Sequence, residues 1–214
     1  MRHIVLEERR VAVHVEGPTS PTGSDVVLVH GAGFDHTIWR YQTRFLAGRG
    51  HRVLAPDLPG HGGSDGPPLE SIEGMAVWLG GVMESFECGP AILIGHSMGS
   101  YVAVHRATSD PESVSALVLV GTTDRMRVHP ELLAASAQRD LHAIDLMVGW
   151  MHTGSHRYGG HRSAGSWSAG ASRRTIERNL APLAVDLAAC ERYDPTERAA
   201  VVDHRTLIVT GSDD

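Results

Sequence analysis

The sequence predicts an α/β fold built on a mainly parallel, doubly wound sheet. Three observations predict it. Short runs rich in Val, Ile and Leu recur at residues 26–29, 52–55, 91–94, 114–120 and 206–209, the signature of strands buried on both faces. Amphipathic stretches at 36–48 and 69–86 alternate with the first three of these runs. Between the run at 91–94 and a stretch at 101–107 that can continue as a helix stands Gly95-His96-Ser97-Met98-Gly99.

In chain order, residues 3–6 and 10–15 alternate apolar and polar and resemble an antiparallel hairpin at the sheet edge. The run at 26–29 ends in His30-Gly31-Ala32-Gly33-Phe34. The helix expected over 36–48 places Ile38, Tyr41, Phe45 and Leu46 on one face. That over 69–86 does the same for Ile72, Met75, Ala76, Leu79, Val82 and Met83. From Asp124 to about Asp194 no strand signal appears. Amphipathic segments at 131–150 and 172–192 flank a Gly/Ser/His-rich stretch at 153–172, expected to be a loop. The expected organisation is a core over 1–124, a helical insertion over 125–194, and the core resumed over 195–214, without internal repeats.

At 214 residues the chain is long enough for one sizeable core. With 42% hydrophobic and 21% charged residues the composition is globular. A net charge of −6 and the lack of a basic stripe argue against nucleic acid. All 19 basic residues are Arg and Asn179 is the single Asn, as in chains from GC-rich, bacterial genomes. The lack of Lys excludes a lysine Schiff base or a Ser-Lys dyad. Cys88 and Cys190 show no metal-ligand spacing and read as two thiols of a reducing compartment. The first ten residues are too charged for a signal peptide, and no run is long enough to span a membrane. A soluble cytoplasmic protein is expected.

The 95–99 pentapeptide is the chemically informative one. A strand-to-helix turn this tight leaves no room for side chains two residues either side of the serine, hence Gly95 and Gly99. A chance Gly-x-Ser-x-Gly in a loop would lack the flanking strand and helix. In this context Ser97 is the candidate nucleophile, and the Met98 N–H, at a helix start, is one candidate oxyanion donor. The second is the Ala32 N–H, with Gly33 as the near alternative. A dinucleotide-binding reading of this loop fails, because the third glycine of Gly-x-Gly-x-x-Gly would fall at His36. His30 reads as a hydrogen bonder that stabilises the loop, and His96 as structural or pocket-lining. The acid expected after a later strand is Asp214 or Asp213, with Asp124 competing. No histidine after Ser97 occupies a convincing position for the base. His204 precedes its strand, and His152, His156 and His161 read as a solvated cluster, with no acidic residue among them to suggest a metal. No cofactor and no metal are expected.

These residues carry a resemblance. The sequence is similar to the α/β-hydrolase fold family, in its small cofactor-free esterase, lactonase and haloperoxidase-like branch, over nearly the whole chain. His30-Gly31 matches the family's oxyanion-loop motif, and Trp39 falls where members often carry Trp. Ala55-Pro56-Asp57-Leu58-Pro59-Gly60-His61-Gly62-Gly63-Ser64-Asp65 matches a specific loop, and 95–99 the nucleophile motif. Thr206 to Asp214 matches the strand and acid turn. The resemblance implies a helical cap, a serine hydrolase acting on a small ester or lactone, no cofactor, and Asp214 as the acid, third after Gly211. Met147, Trp150, Met151 and Trp167 of the cap suggest an apolar acyl or alcohol group. Family members continue past the acid with a helix, a last strand carrying on to the catalytic histidine, and a closing helix. The expectation is therefore a truncated, impaired form whose strand at 206–209 is an unpaired apolar edge. C–C bond hydrolysis or perhydrolysis on the same fold, and non-catalytic binding of a small ligand, are the alternatives.

Overall fold

The computed structural model describes residues 1–152 and 165–211. Its centre is a seven-stranded sheet: β1 (Arg2–Leu6), β2 (Arg9–Glu16), β3 (Val26–Val29), β4 (Val53–Pro56), β5 (Ala91–His96), β6 (Val114–Val120) and β7 (Arg205–Val209). The spatial order is β1-β2-β4-β3-β5-β6-β7, antiparallel for β1–β2 and β2–β4 and parallel from β4 to β7. From β3 the chain first adds β4 on one side, then crosses to add β5 on the other. The carboxyl ends of β3 and β5 therefore flank the crevice where strand order reverses, the usual ligand position in open α/β sheets.

Side chains of β3 alternate between two cores. Val26 and Leu28 pack with Val53, Ala55 and Trp39 on the face covered by α1 (Arg40–Ala47). Val27 and Val29 join Leu54, Leu93 and Leu117 on the face covered by α2 (Ile72–Ser85) and α3 (Met98–Ser109). All six apolar positions expected on the inner face of α2 are buried. Its N-terminus is capped by Ser71, whose hydroxyl accepts the Gly74 N–H at 3.1 Å.

Between β6 and β7 the described chain is helical: α4 (Pro130–Ala137), α5 (His142–Met151), α6 (Gly165–Arg178), α7 (Leu180–Arg192) and the short α8 (Thr196–Ala199). Leu132, Ile144, Ile176, Leu183 and Leu187 of these helices are buried in the same cluster as the sheet core. At about 1.5–3 kcal/mol per fully buried aliphatic side chain, they seat this layer firmly on the sheet.

The local readings needed four corrections. Residues 36–48 form a 3-10 turn (His36–Trp39) followed by α1, and Tyr41 and Phe45 are 69% and 57% exposed. They share the outer face at i, i+4 spacing, where the Arg49 guanidinium covers Phe45 at 3.6 Å from the ring centroid. The 131–150 segment breaks into two helices at Arg139, whose φ is +54°, and Asp140 Oδ1 accepts the His142 N–H to start the second. The helix α6 begins inside the stretch expected to be a loop. A break at Asn179 separates it from α7. Finally, the run at 206–209 has the pattern of a strand buried on both faces, yet every residue of β7 is exposed, in the edge position that the resemblance implied.

Candidate active site

Ser97 sits between β5 and α3 with φ +51° and ψ −119°, a backbone conformation that L side chains rarely adopt. The glycines explain how the chain tolerates it. A Cβ on Gly95 would lie 2.2 Å from the Gly99 carbonyl oxygen. One on Gly99 would lie 2.3 Å from that of Val29 and 2.7 Å from that of His30. The Ser97 N–H donates to Val120 O at 2.9 Å, and its carbonyl accepts the Ser100 N–H (2.8 Å) and hydroxyl (2.6 Å), so the turn is pinned on both sides. Ser97 is half-buried, and its Oγ lies 3.9 Å from Met126 Sδ. Met98 is the first residue of α3, so its N–H is one of the helix's unpaired donors.

The pairing of Val29 with Gly95 brings the loop after β3 directly against this turn. A Cβ on Gly31 would meet His96 Nδ1 at 2.9 Å and Ser97 Cβ at 3.2 Å. Within the loop the Phe34 N–H closes a turn onto Gly31 O at 3.1 Å. The Gly33 N–H donates to Asp186 Oδ2 at 2.9 Å, which removes Gly33 from the choice of oxyanion donor. The Ala32 N–H has no partner among the described residues.

His30 and His61 are both buried, with ring centroids 5.0 Å apart. His30 Nδ1 faces Gly31 O at 2.9 Å and Nε2 accepts the Leu58 N–H at 3.1 Å, an arrangement only the neutral ring satisfies. Burial, then repulsion from His61, lowers its pKa to about 4. It ties the loop after β3 to the loop after β4. His61 faces two acceptors, Pro59 O at 3.1 Å and Asp186 Oδ2 at 2.8 Å. Burial works against its charge, and Asp186 outweighs burial to raise its pKa.

Residues of the cap that sequence reading did not single out hold this region from above. Besides Asp186, Asn179 Oδ1 accepts the Gly62 N–H at 2.9 Å, while Asn179 Nδ2 and Arg178 Nη2 reach Asp35 Oδ2 at 3.3 and 3.0 Å. The lone acid in Leu180-Ala181-Pro182-Leu183-Ala184-Val185-Asp186-Leu187 was the available signal, since a carboxylate on an apolar helix face is buried only with partners.

Asp35, His36 and Asp57 offer three ligand atoms within 4.8 Å of one another, but their oxygens are engaged. Asp35 binds Thr37, Arg178 and Asn179; Asp57 binds the His36 N–H and ring at 2.8 Å each and the Gly63 N–H at 2.9 Å. The set reads as a clamp between loops rather than a metal centre.

The remaining sequence candidates fall as follows. Asp214 and Asp213, His156 and His161 lie outside the described residues. In β7, Val209 pairs with Val120, and Val120 with His96, so the chain leaves β7 at the same sheet edge as Ser97. Asp124 is exposed and accepts from Thr123 Oγ1 and its own neighbour's N–H. It lines, with Met126, Arg125 and Asp194, an open cleft of about 520 Å³. His96 packs edge-on against Phe34 and Trp39. His204 Nε2 lies 3.2 Å from Pro111 O, at the far end of β7, and His152 Nε2 lies 3.3 Å from Ser172 Oγ. Among the described residues no histidine hydrogen-bonds to Ser97. Trp150 and Met151 are exposed, and Trp150 packs on His129. Burial pushes the Cys88 thiol up to about 11 and that of Cys190 higher still, so neither competes as a nucleophile.

Residues 26–214 match the sequence pattern of the Alpha/beta hydrolase family. The chain belongs to that family. A pimeloyl-[acyl-carrier protein] methyl ester esterase of Aromatoleum aromaticum is 37% identical over 113 residues, covering 52% of this chain and 42% of the esterase. An epoxide hydrolase 2 of Siraitia grosvenorii is 30% identical over 135 residues, covering 62% of this chain and 42% of that enzyme. The chain thus matches less than half the length of these relatives. An enol-lactonase from Burkholderia xenovorans superposes with a TM-score of 0.88 at 20% identity, over 99% of this chain and 81% of that one, a likeness of fold. In this alpha/beta hydrolase no described helix is long and apolar enough to cross a membrane.

Proposed function

We propose that this alpha/beta hydrolase cleaves a small ester or lactone through an acyl-enzyme on Ser97. The observation that carries the reading is the strained backbone of Ser97 at the reversal point of the sheet, with the loop after β3 pressed against it. In the proposed reaction Ser97 Oγ attacks the carbonyl carbon as a base takes its proton. The Ala32 and Met98 N–H groups hold the oxyanion, the alkoxide leaves with a proton returned by that base, and water repeats the sequence to free the acid. We assign the base to a histidine that follows the acid in the family's chain order, oriented by Asp214.

The hydroxyl nucleophile supports acyl transfer over epoxide opening. Serine attack on an epoxide would leave an ether that water cannot readily cleave, whereas attack on an ester leaves another ester. The methyl ester esterase of Aromatoleum aromaticum supports that choice.

The test is labelling by a fluorophosphonate and turnover of p-nitrophenyl acetate, with and without Ser97→Ala. Loss of both in the variant is expected. Equal labelling and turnover in the two proteins would sink the reading.

A further inference from the structure

Asp186 is a fully buried carboxylate that acyl transfer on Ser97 does not itself require. One oxygen, Oδ2, receives both the Gly33 N–H (2.9 Å) and His61 Nε2 (2.8 Å). The other, Oδ1, is buried without a partner among the described residues. An orphaned carboxylate oxygen in a protein interior is destabilising, and an apolar side chain of similar size would suit the helix better. Stability alone does not account for Asp186.

Its geometry does. Asp186 and Leu183, one turn apart on α7, press on the same loop residue: a Cβ on Gly33 would meet Leu183 Cδ1 at 2.9 Å. Gly33 has φ +68°, so the chain bends sharply there. The Phe34 and Gly33 N–H groups are engaged by Gly31 O and Asp186, while the Ala32 N–H beside them has no partner among the described residues. His61 braces the carboxylate from the loop after β4.

We propose that Asp186 is a positioning residue for the oxyanion site: by holding the Gly33 N–H from the cap, it fixes the 31–33 turn in the form that leaves the Ala32 N–H available above Ser97. This rests on the acyl-transfer reading of Ser97. An asparagine cannot replace it. Asparagine removes the charge that keeps His61 protonated, and in the neutral ring with Nδ1–H on Pro59 O, Nε2 offers a lone pair. The asparagine then either turns its oxygen to that lone pair or its NH2 to the Gly33 N–H, and one contact is repulsive either way.

The experiment measures the rate constant of fluorophosphonate labelling per active site, for wild type, Asp186→Asn and Asn179→Ala. Asn179 latches the same pair of helices to Gly62 and does not touch the 31–33 loop. Asp186→Asn is expected to lower the rate constant about 10–100-fold, less than removal of an oxyanion donor outright. Its half-saturating concentration should stay within about twofold of wild type, because the interaction matters only as charge develops. Asn179→Ala is expected to lower the melting temperature and leave the rate constant per active site unchanged. An Asp186→Asn rate equal to wild type, or an equal loss in both variants, overturns the proposal. A second measurement needs no variant: the Gly33 amide of the wild type should exchange with solvent at least ~100-fold more slowly than an open loop amide, and fast exchange overturns the proposal too. Failure of the wild type to label at all sinks the reading of Ser97 first, and is seen before any variant is made.

Discussion

His30 and His61 lie side by side in the interior, 5.0 Å between ring centroids, and their hydrogen bonds fix opposite protonation states. His30 is held neutral by the carbonyl of Gly31 and the amide of Leu58. His61 is held protonated between Pro59 O and Asp186, with Asp57 adding to the attraction and His30 itself uncharged. The two rings set two limbs of stability against pH. Between about 6.5 and 4 the unfolded chain binds a proton that folded His30 refuses, so stability falls on acidification through that window, by about 1.4 kcal/mol per unit of pKa difference. The raised pKa of His61 acts in the other direction. Its contribution is complete below about 6.5 and is lost as pH climbs through the folded value. Urea midpoints measured across pH should peak near 6.5, the ordinary value that both unfolded rings share, and ring resonances should show one histidine silent until about pH 4. Two histidines titrating together near their ordinary value would contradict the pairing.

The elbow makes a prediction that separates backbone crowding from general glycine loss. Alanine at position 95 or 99 places a methyl 2.2–2.3 Å from backbone oxygen, which no rotamer relieves. Each substitution should cost about 2–3 kcal/mol or more and abolish labelling. A Cβ on Gly89 meets nothing within 4 Å, so Gly89→Ala should change stability by less than about 0.5 kcal/mol. Thermal unfolding of the three variants decides it, and similar values for all three would refute the crowding argument.

Strain at Ser97 predicts an unusual trade. Its φ of +51° with ψ of −119° costs a non-glycine residue about 1–3 kcal/mol. Ser97→Gly relieves that and gives back part through a more flexible unfolded chain. The net expectation is a gain of about 1 kcal/mol together with complete loss of labelling, whereas Ser97→Ala loses labelling without the gain. Chemical denaturation of both variants is the check, and a Ser97→Gly protein no more stable than Ser97→Ala would show the turn to be unstrained.

What the sequence revealed and what it hid follow from the range of the forces involved. Gly95, Ser97 and Gly99 were legible because the turn they make is demanded within five residues, by backbone atoms that cannot move aside. The strands at 26–29 and 91–94 were legible because both their faces are covered, so every position is apolar. Tyr41 and Phe45 misled because helical periodicity groups apolar residues without saying whether that group faces the core. Asp186, Asn179 and Arg178 were silent because their partners are far away in sequence: Gly33 is 153 residues from Asp186 and Gly62 is 117 from Asn179. A contact of that separation leaves no local pattern, only an acid out of place on an apolar helix.

The outer strand carries the last prediction. Among the described residues β7 pairs with β6 on one side and has no strand on its other edge. Leu207, Ile208 and Val209 remain 58%, 59% and 42% exposed, so apolar side chains flank a row of unpaired backbone groups. Such an edge is a template for another strand, and no lysine or proline guards it. A polypeptide of residues 1–214 should therefore self-associate as concentration rises toward ~100 µM, through contacts between β7 edges. Ile208→Lys adds a charge on the strand and leaves its pairing with β6 in place, because backbone groups alone make that ladder. It should shift the protein toward monomer with little change in melting temperature. Sedimentation velocity over a concentration series reads both effects. A 1–214 chain that stays monomeric throughout, or an Ile208→Lys variant that associates as strongly as wild type, would place the association elsewhere or dismiss it.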